Sequence, residues 1–289
     1  MRKTITNKMV ERYCSWLAEN EKSRRTIERY RHHLKGFLHY IEGKVLDKIG
    51  VLLWKEQLKK NFAPVTVNSA LAALNGFFKF FGWINLTVRY IKIKKNVFCP
   101  EEKELHRDEY ERLIRAALKQ KNERLTLLIQ TVCATGIRIS ELKYITVEAV
   151  EEKRALVECK GGICMVFMPT ELCQQLKMYA GKKRITSGMV FVTRTGHALD
   201  RCNIWREMKQ LAELANVQAE KIFPHNLRHL FARAYYSQEK DLSRLADILG
   251  HSNVNTTKIY TIESGEKHIR QIEQLGLLLP DYNRISLLL

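Results

Sequence analysis

The chain has 289 residues, 45% of them hydrophobic, which is long for one ordinary core and suits two domains of about a hundred and nearly two hundred residues. Lys and Arg number 49 against 31 Asp and Glu, a formal charge of +18. That excess argues against a small acidic substrate and for a polyanion, nucleic acid first, with a solvated surface or a membrane-facing helix as the bland alternative.

The first third is the more basic arm, since residues 1–99 carry 20 Lys and Arg against 7 Asp and Glu. Met1 to Asn20 interleaves Lys3, Lys8, Arg12 and Glu19 with apolar residues, a pattern that lacks the uninterrupted apolar core of a signal peptide or membrane span. A cytoplasmic protein is expected. Residues 1–95 read as four helices with no strand-like alternation. Ser23 is a suitable N-cap for the second, whose apolar positions Ile27, Tyr30, Leu34, Phe37, Leu38 and Ile41 recur at helical spacing. Its other face carries Arg24, Arg25, Arg31 and Lys35, the candidate DNA contacts of a small helical clamping domain. The fourth helix opens after Pro64, and its stripe of Val67, Leu71, Leu74, Phe77, Phe78 and Phe81 suits a core better than a base-stacking platform.

Periodicity breaks at about residue 91, and the charge switches from basic to acidic around Pro100, so residues 96–104 are the expected linker. The second domain is expected over 105–276. Arg107-Asp-Glu-Tyr-Glu-Arg-Leu-Ile opens it as a capped amphipathic helix, and an apolar helix over Leu125 to Cys133 then stops at Gly136, a residue suited to a left-handed turn. Arg138 follows at the chain break. If Ile139 to Tyr144 is a helical turn, Glu141 lies on the same side and can hold the Arg138 guanidinium, leaving its fork for a phosphate.

From Arg154 to Pro169 two apolar runs flank Gly161-Gly162, the clearest hairpin in the chain, with Lys160 at its tip. Pro224 fixes the entry to a helix in which Leu227, Leu230, Phe231 and Ala234 form an apolar face, while His225 and Arg228 sit three apart on another and can reach one phosphate together. His229, beside the core-facing positions, reads as structural. Asp241 to Gly250 is an amphipathic helix with a glycine stop, and His251 lies just past it. Asn255, Thr256 and Thr257 offer caps for a last short helix that carries Tyr260. Glu263 to Leu275 reads as a further helix, and the apolar tail 277–289 is expected to dock on its own domain or on a neighbouring protomer. The seven cysteines, Cys14, Cys99, Cys133, Cys159, Cys164, Cys173 and Cys202, include no C-x-x-C pair and fit reduced, mostly buried thiols better than disulfides or zinc ligands.

Four motifs thus occur in order: Thr135-Gly-Ile-Arg-Ile-Ser-Glu-Leu142, Pro224-His-Asn-Leu-Arg-His229, Leu249-Gly-His251, and Tyr260 nine residues on. Each alone is weak; the ordered set of two arginines, two histidines and a tyrosine suits a reaction that clamps a phosphate, attacks it and relieves its leaving group. The set resembles the tyrosine recombinase, or phage integrase, family, in a simple two-domain form similar to its Xer type. The resemblance implies a mainly α fold with a small β-hairpin or sheet: an N-terminal helical, SAM-like core-binding domain and a C-terminal mixed α+β catalytic domain. It also implies that Tyr260 attacks the phosphorus to give a 3'-phosphotyrosine, with Arg138, Arg228 and His251 on the phosphate, Glu141 supporting Arg138, His225 as the base and Lys160 as proton donor to the departing oxygen. Lys153 is the alternative donor, because the Gly161-Gly162 turn is shorter and less basic than the family's usual run.

The implied partner is double-stranded DNA with an inverted-repeat core site, bound by a tetrameric synaptic complex, with no membrane involved. Conserving the bond in a phosphotyrosine allows strand exchange without ATP; no metal or nucleotide cofactor is expected, and no G-x-x-x-x-G-K-[ST] loop is present. Integration, excision, inversion and dimer resolution all fit. Alternatives that share the chemistry or the scaffold are a type IB topoisomerase and a non-catalytic DNA-binding regulator. The regulator would be expected to lack the nucleophile or an arginine.

Overall fold

The computed structural model describes residues 4–93, 103–159, 162–251, 253–257 and 273–274. The chain divides into two compact units, Met1–Lys95 and Asn96–Leu289, each taken by itself below. It is mainly α-helical, with a two-stranded antiparallel sheet among the described residues.

The first unit is four helices: α1 Asn7–Glu19, α2 Arg24–Ile41, α3 Lys48–Asn61 and α4 Pro64–Phe80. Three of the starts are fixed by short polar side chains that accept orphan amide protons: Thr6 from Met9, Ser23 from Thr26 and Asp47 from Gly50. Pro64 opens the fourth, where its missing N–H costs nothing. The four helices close over Tyr13, Phe37, Phe77 and Phe78, all at 2% exposure or less, with Phe37 edge-on to Trp54 at 4.9 Å between ring centres. The phenylalanine stripe of α4 is therefore core.

After α4 the chain makes a 3-10 turn, Ile84–Leu86, and runs back extended along the helix that preceded it. Two asparagines on α4 imitate peptide groups to hold it there. Asn75 donates to Val88 O at 2.8 Å and accepts from Val88 N at 2.9 Å; Asn68 does the same to Ile91 at 2.9 and 2.8 Å. The segment read as aperiodic thus begins strapped to the first unit, its backbone satisfied by side chains rather than by a sheet.

In the second unit, α5 Arg107–Lys119 and α6 Glu123–Thr135 lead to a 3-10 turn, Ile139–Tyr144, the short helix α7 Val147–Glu151, and the hairpin β1 Arg154–Cys159 with β2 Gly162–Phe167. Helices α8 Thr170–Lys182, α9 Arg201–Lys209, α10 Ala212–Ala215, α11 Pro224–Glu239 and α12 Leu242–Ile248 follow, then a 3-10 turn Val254–Thr256. Pairing in the hairpin runs from Arg154 opposite Phe167 out to Cys159 opposite Gly162. Gly162, read in the sequence as part of the turn, belongs to the strand, and Lys160 and Gly161 lie outside the described residues. Ala155, Val157 and Val166 point into the core, while Leu156, Ile163 and Phe167 are exposed.

The core of this unit gathers Leu113, Leu128, Ile129, Ile145, Val157, Leu176, Met208 and Leu227, each fully or almost fully buried. A buried ion pair, Lys221 Nζ to Glu109 Oε1 at 2.9 Å, ties the approach to α11 to the start of α5, and Glu109 also accepts from His106 N, closing the cap of α5. Among the described cysteines Cys14 and Cys173 are buried, Cys133 and Cys164 half-buried, and Cys202, the second residue of α9, is exposed.

Candidate active site

Helix α6 ends at Gly136, whose φ of +67° reverses the chain, and Ile137 to Ser140 then run away from the helix end. A Cβ at Gly136 would lie 2.6 Å from Phe231 Cδ1, so the bend is also a close approach to α11. Arg138 follows in an extended conformation and caps the 3-10 turn. Glu141, one turn on and 8% exposed, uses both carboxylate oxygens on it: Oε2 accepts the Arg138 backbone N–H at 2.9 Å and Oε1 accepts from Nη1 at 2.7 Å. The guanidinium is thereby aimed while its side chain stays about one-third exposed, at 36%.

Arg228 is built differently. It lies on the second turn of α11, 3% exposed, and its two terminal nitrogens are spoken for by backbone and ring acceptors. Nη1 donates to Gly136 O; Nη2 donates to Leu249 O at 2.6 Å and faces His251 Nε2 at 3.1 Å. A guanidinium has only donors, so Nε2 accepts. The neutral ring then carries its proton on Nδ1, which lies 2.8 Å from Thr257 Oγ1. At its Nε2, His251 thus accepts from Arg228. Burial, then the charges of Arg228 and Arg138, push His251 down to about 4, so it is neutral near pH 7.

His225, on the first turn of α11, reaches solvent at the mouth of a cavity of about 500 Å³. Desolvation, then Arg228, Arg138 and Arg201, lower its pKa. His229 packs edge-to-face on it at 4.4 Å and is pushed down to about 3, first by burial and then by His225 and Arg233. The cavity is lined by Ile137, Arg138, Ile139, Ser140, Arg201, Phe223, Pro224, His225 and Arg228, which include three arginines and no carboxylate. An anion is what such a wall attracts.

Of the residues singled out in the sequence, Arg138, Glu141, His225, Arg228 and His251 are brought together; Lys160 and Tyr260 lie outside the described residues. Lys153 sits at the base of the hairpin with Nζ on Thr170 Oγ1 at 3.1 Å. In the first unit, Arg24 and Arg25 are exposed, Arg24 pairing with Glu28 at 3.0 Å, and Lys35 is exposed as well. Arg31 makes a two-pronged bond with Glu11 of α1, Nε to both carboxylate oxygens at 3.1 Å, which links the two helices. Two residues were missed. Arg201 opens α9 behind the Asp200 cap, and nothing in its neighbourhood signals that this helix start faces a wall made by α6 and α11. Thr257, expected as a cap, brings its buried hydroxyl to His251. Among the described residues no three His, Cys, Asp or Glu are grouped to hold a metal, and no helix is long and apolar enough to cross a membrane.

The sequence profile of the phage integrase family matches residues 103–266. The tyrosine recombinase XerA of Pyrococcus furiosus is 28% identical over 286 residues, 96% of each chain. The crystal structure of a XerA recombinase is 26% identical and covers 95% of this chain and 100% of that one, at a TM-score of 0.52. A lambda integrase tetramer bound to a Holliday junction shares the fold at a TM-score of 0.67 and 18% identity, over 85% of this chain and 77% of that one.

Proposed function

This chain belongs to the phage integrase family, and we propose that it is a site-specific DNA recombinase whose carboxylate-free, arginine-lined cavity holds one scissile phosphate. That cavity is the observation that carries the reading. A phosphodiester gains charge as it becomes pentavalent, and fixed guanidinium groups at Arg138 and Arg228 stabilise that charge with little reorganisation. Arg201 adds a third positive charge to the same wall.

Tyr260 supplies the nucleophile. Its phenol oxygen attacks phosphorus, its proton passes to His225, and the bond to the 5'-oxygen breaks, leaving a 3'-phosphotyrosyl strand and a 5'-hydroxyl protonated by Lys160. The lowered pKa of His225 leaves it neutral at pH 7 and free to take that proton. A 5'-hydroxyl from a second duplex reverses the step, so the exchange consumes no ATP. The chain acts in the cytoplasm on double-stranded DNA with an inverted-repeat core site, where four protomers assemble. The basic outer face of α2, with Arg25 and Lys35, contributes backbone contacts from the first unit.

The test is a nicked suicide duplex, drawn from DNA flanking the gene and incubated with the protein in EDTA. A covalent protein–DNA band that disappears in Tyr260→Phe is the expected result. Tight binding with no band on any such duplex would refute the enzymatic reading in favour of a DNA-binding regulator.

A further inference from the structure

We propose that Thr257 is a positioning residue for strand cleavage: its hydroxyl oxygen fixes His251 in the one tautomer that can hold the guanidinium of Arg228 against the scissile phosphate. The proposal rests on the reading of Arg228 as a phosphate ligand and adds a residue that touches no substrate.

The argument is one of proton accounting. Arg228 Nη2 can only donate, so the His251 nitrogen 3.1 Å away has to be bare. The ring's single proton is then on Nδ1, and the atom there to receive it is Thr257 Oγ1 at 2.8 Å. Were the hydroxyl to donate to Nδ1 instead, the ring proton would move to Nε2 and two donors would face each other. Thr257 is 0% exposed, so water does not readily replace its oxygen.

Both ends of the relay are anchored by backbone. Thr257 N donates to Val254 O at 2.8 Å, closing the turn Val254–Thr256, and His251 N donates to Ala246 O at 2.9 Å at the end of α12. Gly136 O and Leu249 O, which accept from Arg228, are fixed by the chain path, whereas acceptance at His251 Nε2 depends on where a side-chain proton sits. Thr257 is also three residues before Tyr260 in sequence, so the segment that carries the nucleophile sets the tautomer that seats the arginine.

The experiment uses the full chain and the nicked duplex, with single-turnover cleavage and DNA affinity measured separately. Thr257→Val keeps the volume and removes the acceptor; Thr257→Ser keeps the acceptor. Expected are a cleavage rate about tenfold lower in Thr257→Val with affinity unchanged, and near wild-type cleavage in Thr257→Ser. Combined with His251→Ala, Thr257→Val should add no further loss, because the hydroxyl acts through the ring. Wild-type cleavage in Thr257→Val, equal losses in the two Thr257 variants, or full additivity with His251→Ala would each overturn the proposal. A wild-type protein that forms no covalent band would instead overturn the recombinase reading on which it rests.

Discussion

Glu141→Gln separates the two jobs that one carboxylate does. Its oxygens satisfy the Arg138 backbone N–H at 2.9 Å and Arg138 Nη1 at 2.7 Å, from a side chain only 10% exposed. An amide of the same shape has one acceptor and one donor, so one of those bonds becomes a donor facing a donor. The backbone N–H at the cap of the 3-10 turn cannot move, whereas the Arg138 side chain, 36% exposed, can swing its guanidinium toward water. The amide oxygen therefore goes to the backbone, and Arg138 loses its anchor. A hydrogen bond to a charged group contributes about 1.5–3 kcal/mol, and loss of orientation toward the transition state appears as a rate roughly ten- to a hundredfold lower. Stability should fall by only about 1 kcal/mol, because the cap survives. Single-turnover formation of the covalent complex at saturating protein, beside a thermal denaturation midpoint, measures both. A Glu141→Gln protein that melts several degrees early yet cleaves at the wild-type rate would show that the carboxylate braces the turn and not the arginine.

Gly136→Ala should cost about 2 kcal/mol or more, since the residue sits at φ +67° and a Cβ there would lie 2.6 Å from Phe231 Cδ1 and 3.0 Å from Leu249 Cδ2. It should also displace the carbonyl that receives Arg228 Nη1, so cleavage falls with stability; an unchanged melting temperature would contradict the packing described. Acid should destabilise the chain before carboxylates titrate. His229 and His251 have folded values of about 3 and 4, below the unfolded value near 6.5, so their contribution is complete above 6.5 and is lost as the unfolded chain takes up protons below it. The limiting slope is about 1.4 kcal/mol per pH unit per histidine, read as urea midpoints between about pH 7 and 5, and His229→Asn should reduce it by about one histidine's share; an unaltered slope would deny His229 its buried, neutral state.

What the sequence makes legible are features with short-range causes. Ser23 caps α2 because its hydroxyl meets an amide three residues on; Gly136 ends α6 because only glycine takes that bend cheaply; Arg138 and Glu141 meet because three residues bring both ends of one turn together. The pairing of His225 with Arg228 on one face of α11 follows from the same arithmetic. Arg31 shows where such arithmetic stops: its position in α2 puts it on an outward face, yet α1, not visible from α2's own periodicity, brings Glu11 within reach and adds an interhelical tie.

Arg201 fails to stand out for a related reason, and Thr257 reads as a cap without revealing its ring partner. The wall of the cavity is assembled from the end of α6, the start of α9 and the first turns of α11, segments separated by dozens of residues and joined only because α6 packs along α11. The direction of each bond is less local still. Spacing put His251 near the phosphate chemistry, and a histidine there can donate or accept; the choice is made by Arg228 on one side, which has no lone pair to offer, and Thr257 on the other, which has. Burial beside two arginines then removes the doubly protonated form at neutral pH. The role of that ring is set by the proton inventory of its neighbours, which packing brings together.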